Sequence, residues 1–199
     1  LDSLPGIGTD PLAALRKAAK LEPLAGERTV RVDSMQWNAD GSGVALMARA
    51  VDNKDRWIAT VDLAGGKLVP AHRLTDPAWI NWNFNDFGWL PGGRTLWLLS
   101  EESGYSHLYT VVPGQRPNRL TSGRWEASSP QWSPDGATAY FMCNRGWPGD
   151  YEVCAVPGTG GEVREVTALD GVEFEVLDVD PRRIRRLRVR QPTSSRSAA

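Results

Sequence analysis

Three short signals, Arg73-Leu74-Thr75, Arg119-Leu120-Thr121 and Glu165-Val166-Thr167, place their threonines 46 residues apart, twice in succession. That period constrains the fold more than any other feature of the 199-residue chain. A repeat of this length is one supersecondary unit, which buries its apolar face only by stacking against its neighbours. A second landmark recurs in phase with the first: Trp37-Asn-Ala-Asp-Gly41, Trp89-Leu-Pro-Gly-Gly93 and Trp132-Ser-Pro-Asp-Gly136. Each is an aromatic followed by a chain-reversing turn.

Between the landmarks every unit reads alike. An inner strand ends at the tryptophan and the turn reverses the chain. A buried strand follows (Val44-Ala-Leu-Met47, Thr95-Leu-Trp-Leu-Leu99, Thr138-Ala-Tyr-Phe-Met142). A loop leads to a third strand (Trp57-Ile-Ala-Thr-Val61, His107-Leu-Tyr-Thr-Val111, Tyr151-Glu-Val-Cys-Ala155), and a Gly-rich turn delivers a short outer strand. Four antiparallel strands in about 45 residues make one blade of a β-propeller. Nine tryptophans against four phenylalanines suit stacked sheets, which need large side chains between them. The expected fold is therefore all-β: a partial β-propeller of about three four-stranded antiparallel blades plus the start of a fourth, with a short N-terminal helix.

The expected boundaries follow from the same phase. Residues 1–29 form a helical connecting segment, with Thr9-Asp10 as its cap, Pro11 in its first turn and its end near Leu21. The blades span about 30–76, 80–123 and 125–169, and an incomplete unit covers 170–180. In that last unit Glu173-Phe-Glu-Val-Leu-Asp-Val179 resembles an inner strand, and Asp180-Pro181 falls where Pro134-Asp135 stood one unit earlier. Beyond it seven of the 23 Lys and Arg residues and none of the 24 acids remain, so residues 1–181 carry −8 and the tail +7. Residues 181–199 are read as a disordered arginine-rich tail, an out-of-frame or otherwise foreign end. Three blades do not close a ring of about four to eight, so the chain is read as a piece of a larger propeller. Its open edges favour self-association.

Several function classes drop out. No apolar stretch approaches the ~20 residues of a membrane span, and two histidines with two cysteines make no His-rich site or zinc cage. No Gly-x-Ser-x-Gly occurs, and Gly41-Ser42-Gly43 belongs to a turn. The arginine tail lacks the interleaved aromatics of a nucleic-acid site, so no specific nucleic-acid partner is expected. No cofactor and no metal are expected; Asp40, Asp135 and Asp180 are turn residues by position, without the spacing of a calcium loop.

Residues from about 85 to 180 resemble the propeller of the prolyl oligopeptidase (S9) family of serine peptidases, in its dipeptidyl peptidase IV-like branch. The resemblance is carried by Ser100-Glu-Glu-Ser-Gly-Tyr-Ser-His-Leu-Tyr109, Leu120-Thr-Ser-Gly-Arg-Trp-Glu126, Trp132-Ser-Pro-Asp-Gly136 and the loop with Gly146-Trp-Pro-Gly149. The Trp-Ser-Pro-Asp-Gly piece is shared with TolB-like and WD40-like repeats. Residues 34–76 match only the generic blade. The resemblance implies a propeller that sits over an α/β-hydrolase domain, restricts entry to peptides and helps place them. This stretch would then be non-catalytic, with peptide substrate bound only in the context of the full-length parent. The alternative is a TolB-like interaction scaffold that self-associates to complete its ring. The compartment is left open between bacterial periplasm and cytoplasm.

No residue is assigned a catalytic role. Glu101 and Glu102 invite comparison with the glutamate pair by which the family grips a substrate's amino terminus. That pair lies in a helical segment earlier in the propeller, whereas this one aligns with a blade hairpin. Glu101 and Glu102 are therefore read as loop carboxylates that cap backbone amides or face solvent. Trp125 and Glu126 are read as fixing the connection between blades, with the indole packed and the carboxylate accepting backbone N–H bonds. All four remain candidates for substrate contact. His107 is read as a structural histidine that bonds the hairpin loop. Cys143 and Cys154, on adjacent strands, are read as two buried thiols, with a cross-strand disulfide as the alternative in an oxidising compartment.

Overall fold

The computed structural model describes residues 1–24, 28–166, 173–180 and 183–190. One compact unit spans Leu1–Arg164, and a second begins at Glu165. The first unit is all-β apart from short helical turns, and its strands form a partial β-propeller. Blade 1 comprises β1 (Val30–Trp37), β2 (Val44–Ala50), β3 (Asp55–Asp62) and β4 (Lys67–Thr75). Blade 2 comprises β5 (Phe87–Trp89), β6 (Leu96–Ser100), β7 (His107–Val111) and β8 (Asn118–Arg119). Blade 3 comprises β9 (Ala127–Trp132), β10 (Thr138–Cys143), β11 (Glu152–Pro157) and β12 (Arg164–Glu165). Within each sheet the strands lie in chain order and pair antiparallel.

The first turn of every blade is built by the same two backbone bonds. Asn38, Leu90 and Ser133 each donate N–H to the residue five positions on (Gly43, Thr95, Thr138). Gly41, Gly93 and Gly136 then donate back to the carbonyls of Asn38, Leu90 and Ser133. These three glycines sit at φ 71°, 64° and 71°, the left-handed region that a side chain disfavours. Asp40 and Asp135 complete their turns by accepting the N–H groups of Ser42 and Ala137. The Leu-Thr signal also has a physical reading: Leu74 and Leu120 are buried, and Thr75 and Thr121 bond the start of the third strand. Thr167 lies outside the described residues.

The core lies between the sheets. Ala45, Ile58 and Ala71 of blade 1 pack on Phe87, Leu96, Leu98, Tyr109 and Val111 of blade 2. Leu99, Leu108 and Leu120 of blade 2 pack on Trp125, Ala139, Phe141 and Val156 of the third unit. The opposite face of blade 1, with Leu46, Ala48, Trp57 and Ala59, is covered by Leu4 from the N-terminal segment. Trp57 donates its indole N–H to the Pro5 carbonyl, and the guanidinium groups of Arg28 and Arg73 lie 5.8 and 5.9 Å from its ring centroid. Those two arginines and the Thr75 hydroxyl all donate to Asp55, whose side chain is inaccessible to solvent.

Two expectations are corrected. The helix α1 is only Ala13–Ala18, ends short of Leu21 and buries none of its residues. Lys20 adopts φ 55°, which stops the helix, and Leu15 and Leu21 stay exposed. The N-terminal anchor is Leu4, ahead of the helix. The tail is corrected over 183–190, which form β14 (Arg183–Arg190), paired antiparallel with β13 (Glu173–Asp180). The register sets Glu173, Glu175, Asp178 and Asp180 opposite Arg190, Arg188, Arg186 and Arg183, and sets Phe174, Val176 and Val179 opposite Val189, Leu187 and Ile184. Composition alone hid this pairing, and residues 191–199 lie outside the described residues.

Candidate functional site

In an up-and-down meander the loop after strand two and the connection to the next blade open at the same end of the sheet. Hydrogen bonds stitch those segments together here. Asp76 and Ile80 of the first connection donate N–H to Lys54 and Asn53 of the β2–β3 turn, and Ala127 donates to Ser106 of the β6–β7 loop. Glu126 N–H donates to Asn144 Oδ1 of the β10–β11 loop at 2.6 Å. Glu101, Glu102, Trp125 and Glu126 thus all lie at this one end.

The two halves of the blade 2 motif meet around His107. The Gly123 carbonyl can only accept, so His107 Nε2 carries the proton and donates to it at 3.1 Å. Nδ1 then accepts from the Thr121 hydroxyl at 3.1 Å, and the Thr121 oxygen accepts the Leu108 N–H. The imidazole meets Trp125 edge-on, with ring centroids 5.1 Å apart, and burial lowers its pKa from the ordinary histidine value. Gly123 has φ 135°, and a Cβ there would fall 2.2 Å from the Trp125 indole nitrogen, so only glycine lets the connection pass over that ring. His107 therefore bonds the connection between blades rather than its own hairpin loop. Trp125 is core, stacked on Phe141, and offers little surface to a ligand. The Glu126 link is made by its backbone N–H, not by its carboxylate as the sequence suggested.

Glu102 belongs to a chain of bonds that crosses from blade 1 to blade 2. Arg56, the second residue of β3 and inaccessible to solvent, donates Nη1 to Asn85 Oδ1 (2.6 Å) and to the Leu99 carbonyl (2.9 Å). Its Nη2 lies 3.1 Å from His72 Nδ1. A guanidinium has only donors, so His72 Nδ1 accepts and Nε2–H donates to Glu102 Oε2 at 2.8 Å. Burial pushes the Arg56 guanidinium down to about 10, against the pull of Glu102 and Glu101. Burial, aided by the Arg56 charge, also keeps His72 below the ordinary histidine value despite its bond to Glu102. Glu102 is held below the ordinary carboxylate value by that same bond. Glu101 takes a long contact of 3.5 Å from Asn81 Nδ2. Partial burial raises its pKa, and the neighbouring Glu126 and Asp76 add to the rise. Glu102 thus braces against blade 1 while staying 41% exposed, Glu101 touches the connection between the blades, and neither carboxylate is seen capping a backbone amide.

This end can therefore offer a half-exposed carboxylate pair in a negative field, with Glu126 nearby. Trp79 (64% exposed), Trp147 (67%) and Tyr151 (49%) stand on segments of the same end. Their exposure could not be read from a sequence in which most tryptophans serve the core. The His72–Arg56 part of the chain of bonds was also missed, because its members are far apart in sequence. Cys143 and Cys154, read as two thiols, are joined in a disulfide with Cα atoms 5.9 Å apart. Among the described residues no His, Cys, Asp and Glu group has an arrangement that would hold a metal ion, and no helix is long and apolar enough to cross a membrane.

Comparison with known proteins supplies the family. The chain is 29% identical over an alignment of 127 residues, which covers 59% of this chain, to the "Uncharacterized peptidase YuxL" of Bacillus subtilis (strain 168). The match spans 18% of that relative. The family model of the dipeptidyl peptidase IV (DPP IV) N-terminal region matches residues 17–179. That stretch takes in all three blades and the stitched motif around His107, and with most of its length matched the chain belongs to the dipeptidyl peptidase IV N-terminal region family.

Proposed function

We propose that the chain is the non-catalytic propeller part of a dipeptidyl aminopeptidase-like serine peptidase, gating entry and placing peptides for an α/β-hydrolase domain of the parent. The observation that carries this reading is that both histidines of the sequence are spent at both ring nitrogens. His72 lies between Arg56 and Glu102, and His107 between Thr121 and Gly123. Neither is free to take a proton from a serine, as a hydrolytic triad requires. The residues that lend themselves to peptide contact are Glu101, Glu102 and Glu126 at the loop end, whose carboxylates suit a cationic group.

The experiment is steady-state kinetics on the parent peptidase carrying Glu101→Gln, Glu102→Gln or Glu126→Gln. Loss of a placing contact raises KM with kcat little changed. The chain by itself leaves a Xaa-Pro chromogenic substrate intact. Turnover by the chain that a serine-directed inhibitor abolishes overturns the reading.

A second reading, a scaffold that self-associates, has one observation in its favour. Along β1, Val32, Met35 and Trp37 are 44%, 67% and 59% exposed, more apolar surface than a solvated strand usually shows. A light-scattering mass of twice the monomer, with no catalytic partner, favours the scaffold; a monomer counts against it.

A further inference from the structure

The sequence holds two cysteines, and both fall on one hairpin of blade 3. Cys143 lies opposite Glu152 and Cys154 opposite Phe141, so the two are diagonal neighbours across β10 and β11. Their Cα separation of 5.9 Å is that of an ordinary disulfide. Both residues are fully buried, in the core with Trp125, Ala127, Phe141 and Val156. The bond closes the base of the loop 144–151. Asn144 holds that loop from within, accepting from Glu126 N–H and donating to the Pro148 carbonyl, while Arg145 donates to the Val163 carbonyl. Trp147 and Tyr151 stand exposed on it.

We propose that Cys143–Cys154 is a site of oxidative maturation: the chain folds in an oxidising compartment, and the bond fastens the loop that displays Trp147 and Tyr151. The oxidant is a disulfide, either of a small thiol or of a thiol oxidoreductase. One cysteine thiolate attacks it, forming a mixed disulfide and releasing one thiol. The second cysteine attacks the mixed disulfide and releases the other. The S–S bond forms, two electrons pass to the oxidant's sulfurs, and the two thiol protons end on the released thiols. Exchange needs access to sulfur, so it precedes closure of the core between blades 2 and 3. Once that core closes, the same burial keeps reductants out, which suits a structural bond of an extracytoplasmic protein rather than one of the reducing cytosol.

The test begins with the full chain produced through a secretory compartment and alkylated in denaturant without reductant. The expected result is no alkylation and a mass about 2 Da below that of the reduced chain. Alkylation of both cysteines overturns the proposal. Held in a glutathione buffer of cytosolic poise, the folded chain keeps its bond until denaturant is added, whereas ready reduction in the native state contradicts the burial argument. The loop itself is read by trypsin, which cuts after the exposed Arg145. Cleavage there is expected to be at least about tenfold faster in the Cys143→Ser/Cys154→Ser variant, because loops open locally where fewer constraints hold them. If that variant does not fold, wild-type chain refolded under reductant takes its place. Equal cleavage rates refute the clamp.

Discussion

Replacing His107 by alanine distinguishes a structural histidine from a catalytic one by its size of effect on folding. Three losses follow from the geometry. The buried Thr121 hydroxyl, which donates to Nδ1 at 3.1 Å, is left without its acceptor, at about 2 kcal/mol for a buried group. The edge-on contact with Trp125 at 5.1 Å disappears, at about 1 kcal/mol. Removing most of the ring from a residue only 1% exposed leaves a cavity, adding about 1 kcal/mol even if the site partly collapses. Together these predict about 4 kcal/mol, in the tail of single-substitution effects. For a domain of this size that corresponds to a fall in Tm of roughly 10 °C. Urea unfolding followed by tryptophan fluorescence measures it, since Trp125 itself reports on the site. A paired Thr121→Val variant and the double variant complete a cycle; because both residues serve one network, their effects should fall short of additivity. A loss below about 1 kcal/mol refutes the structural role, because no buried polar group would then depend on the imidazole.

Other outcomes follow from the same geometry. Asp55→Ala should destabilise the chain by about 3–5 kcal/mol, because Arg28 and Arg73 then lose their inaccessible counter-charge, while Asp52→Ala, at a partly exposed pair with Arg28, costs under about 1 kcal/mol; equal effects in chemical denaturation contradict this. Gly93→Ala should cost about 1–2 kcal/mol, since φ is 64° and the new Cβ would lie 2.7 Å from Asn38 Nδ2; an unchanged denaturation midpoint rules that strain out. Both histidines are held below their ordinary value of 6.5 in the folded chain, so the unfolded chain binds their protons more readily. Their contribution is complete above about 6.5 and is lost as pH falls toward the folded-state values, so Tm should drop on acidification below that point. A flat Tm from pH 7 to the carboxylate range contradicts the two assignments.

The propeller repeat was legible because its landmarks are local. The turn glycines and the residues that bond them sit within six positions of one another, so Trp37–Gly43, Trp89–Thr95 and Trp132–Thr138 announce the same turn three times. The motif around His107 was legible in outline for a similar reason: its halves are only fourteen residues apart at His107 and Thr121. The Arg56–His72–Glu102 chain was not, because its members come from strands three and four of one blade and a loop of the next. No spacing rule joins such positions until the sheets stack. The helix end was misjudged because the apolar spacing of Leu12, Leu15 and Ala18 carries no information on whether anything lies opposite them. Nothing does at Leu15, which remains 60% exposed. The tail was misjudged for the reverse reason: a run rich in arginine looks disordered until Arg183–Arg190 is seen to pair as a strand with Glu173–Asp180.

On the function proposed above, the loop end of these blades places peptides for hydrolysis carried out elsewhere in the parent. Photo-crosslinking of the parent peptidase with a non-hydrolysable peptide bearing a photoreactive group at its amino-terminal residue, followed by mapping of the labelled peptides, tests that placement most directly. Label is expected on the segments 101–106, 120–126 and 144–151, suppressed by competing substrate. Label confined to the other end of the blades, or to surfaces that competing substrate does not protect, contradicts it.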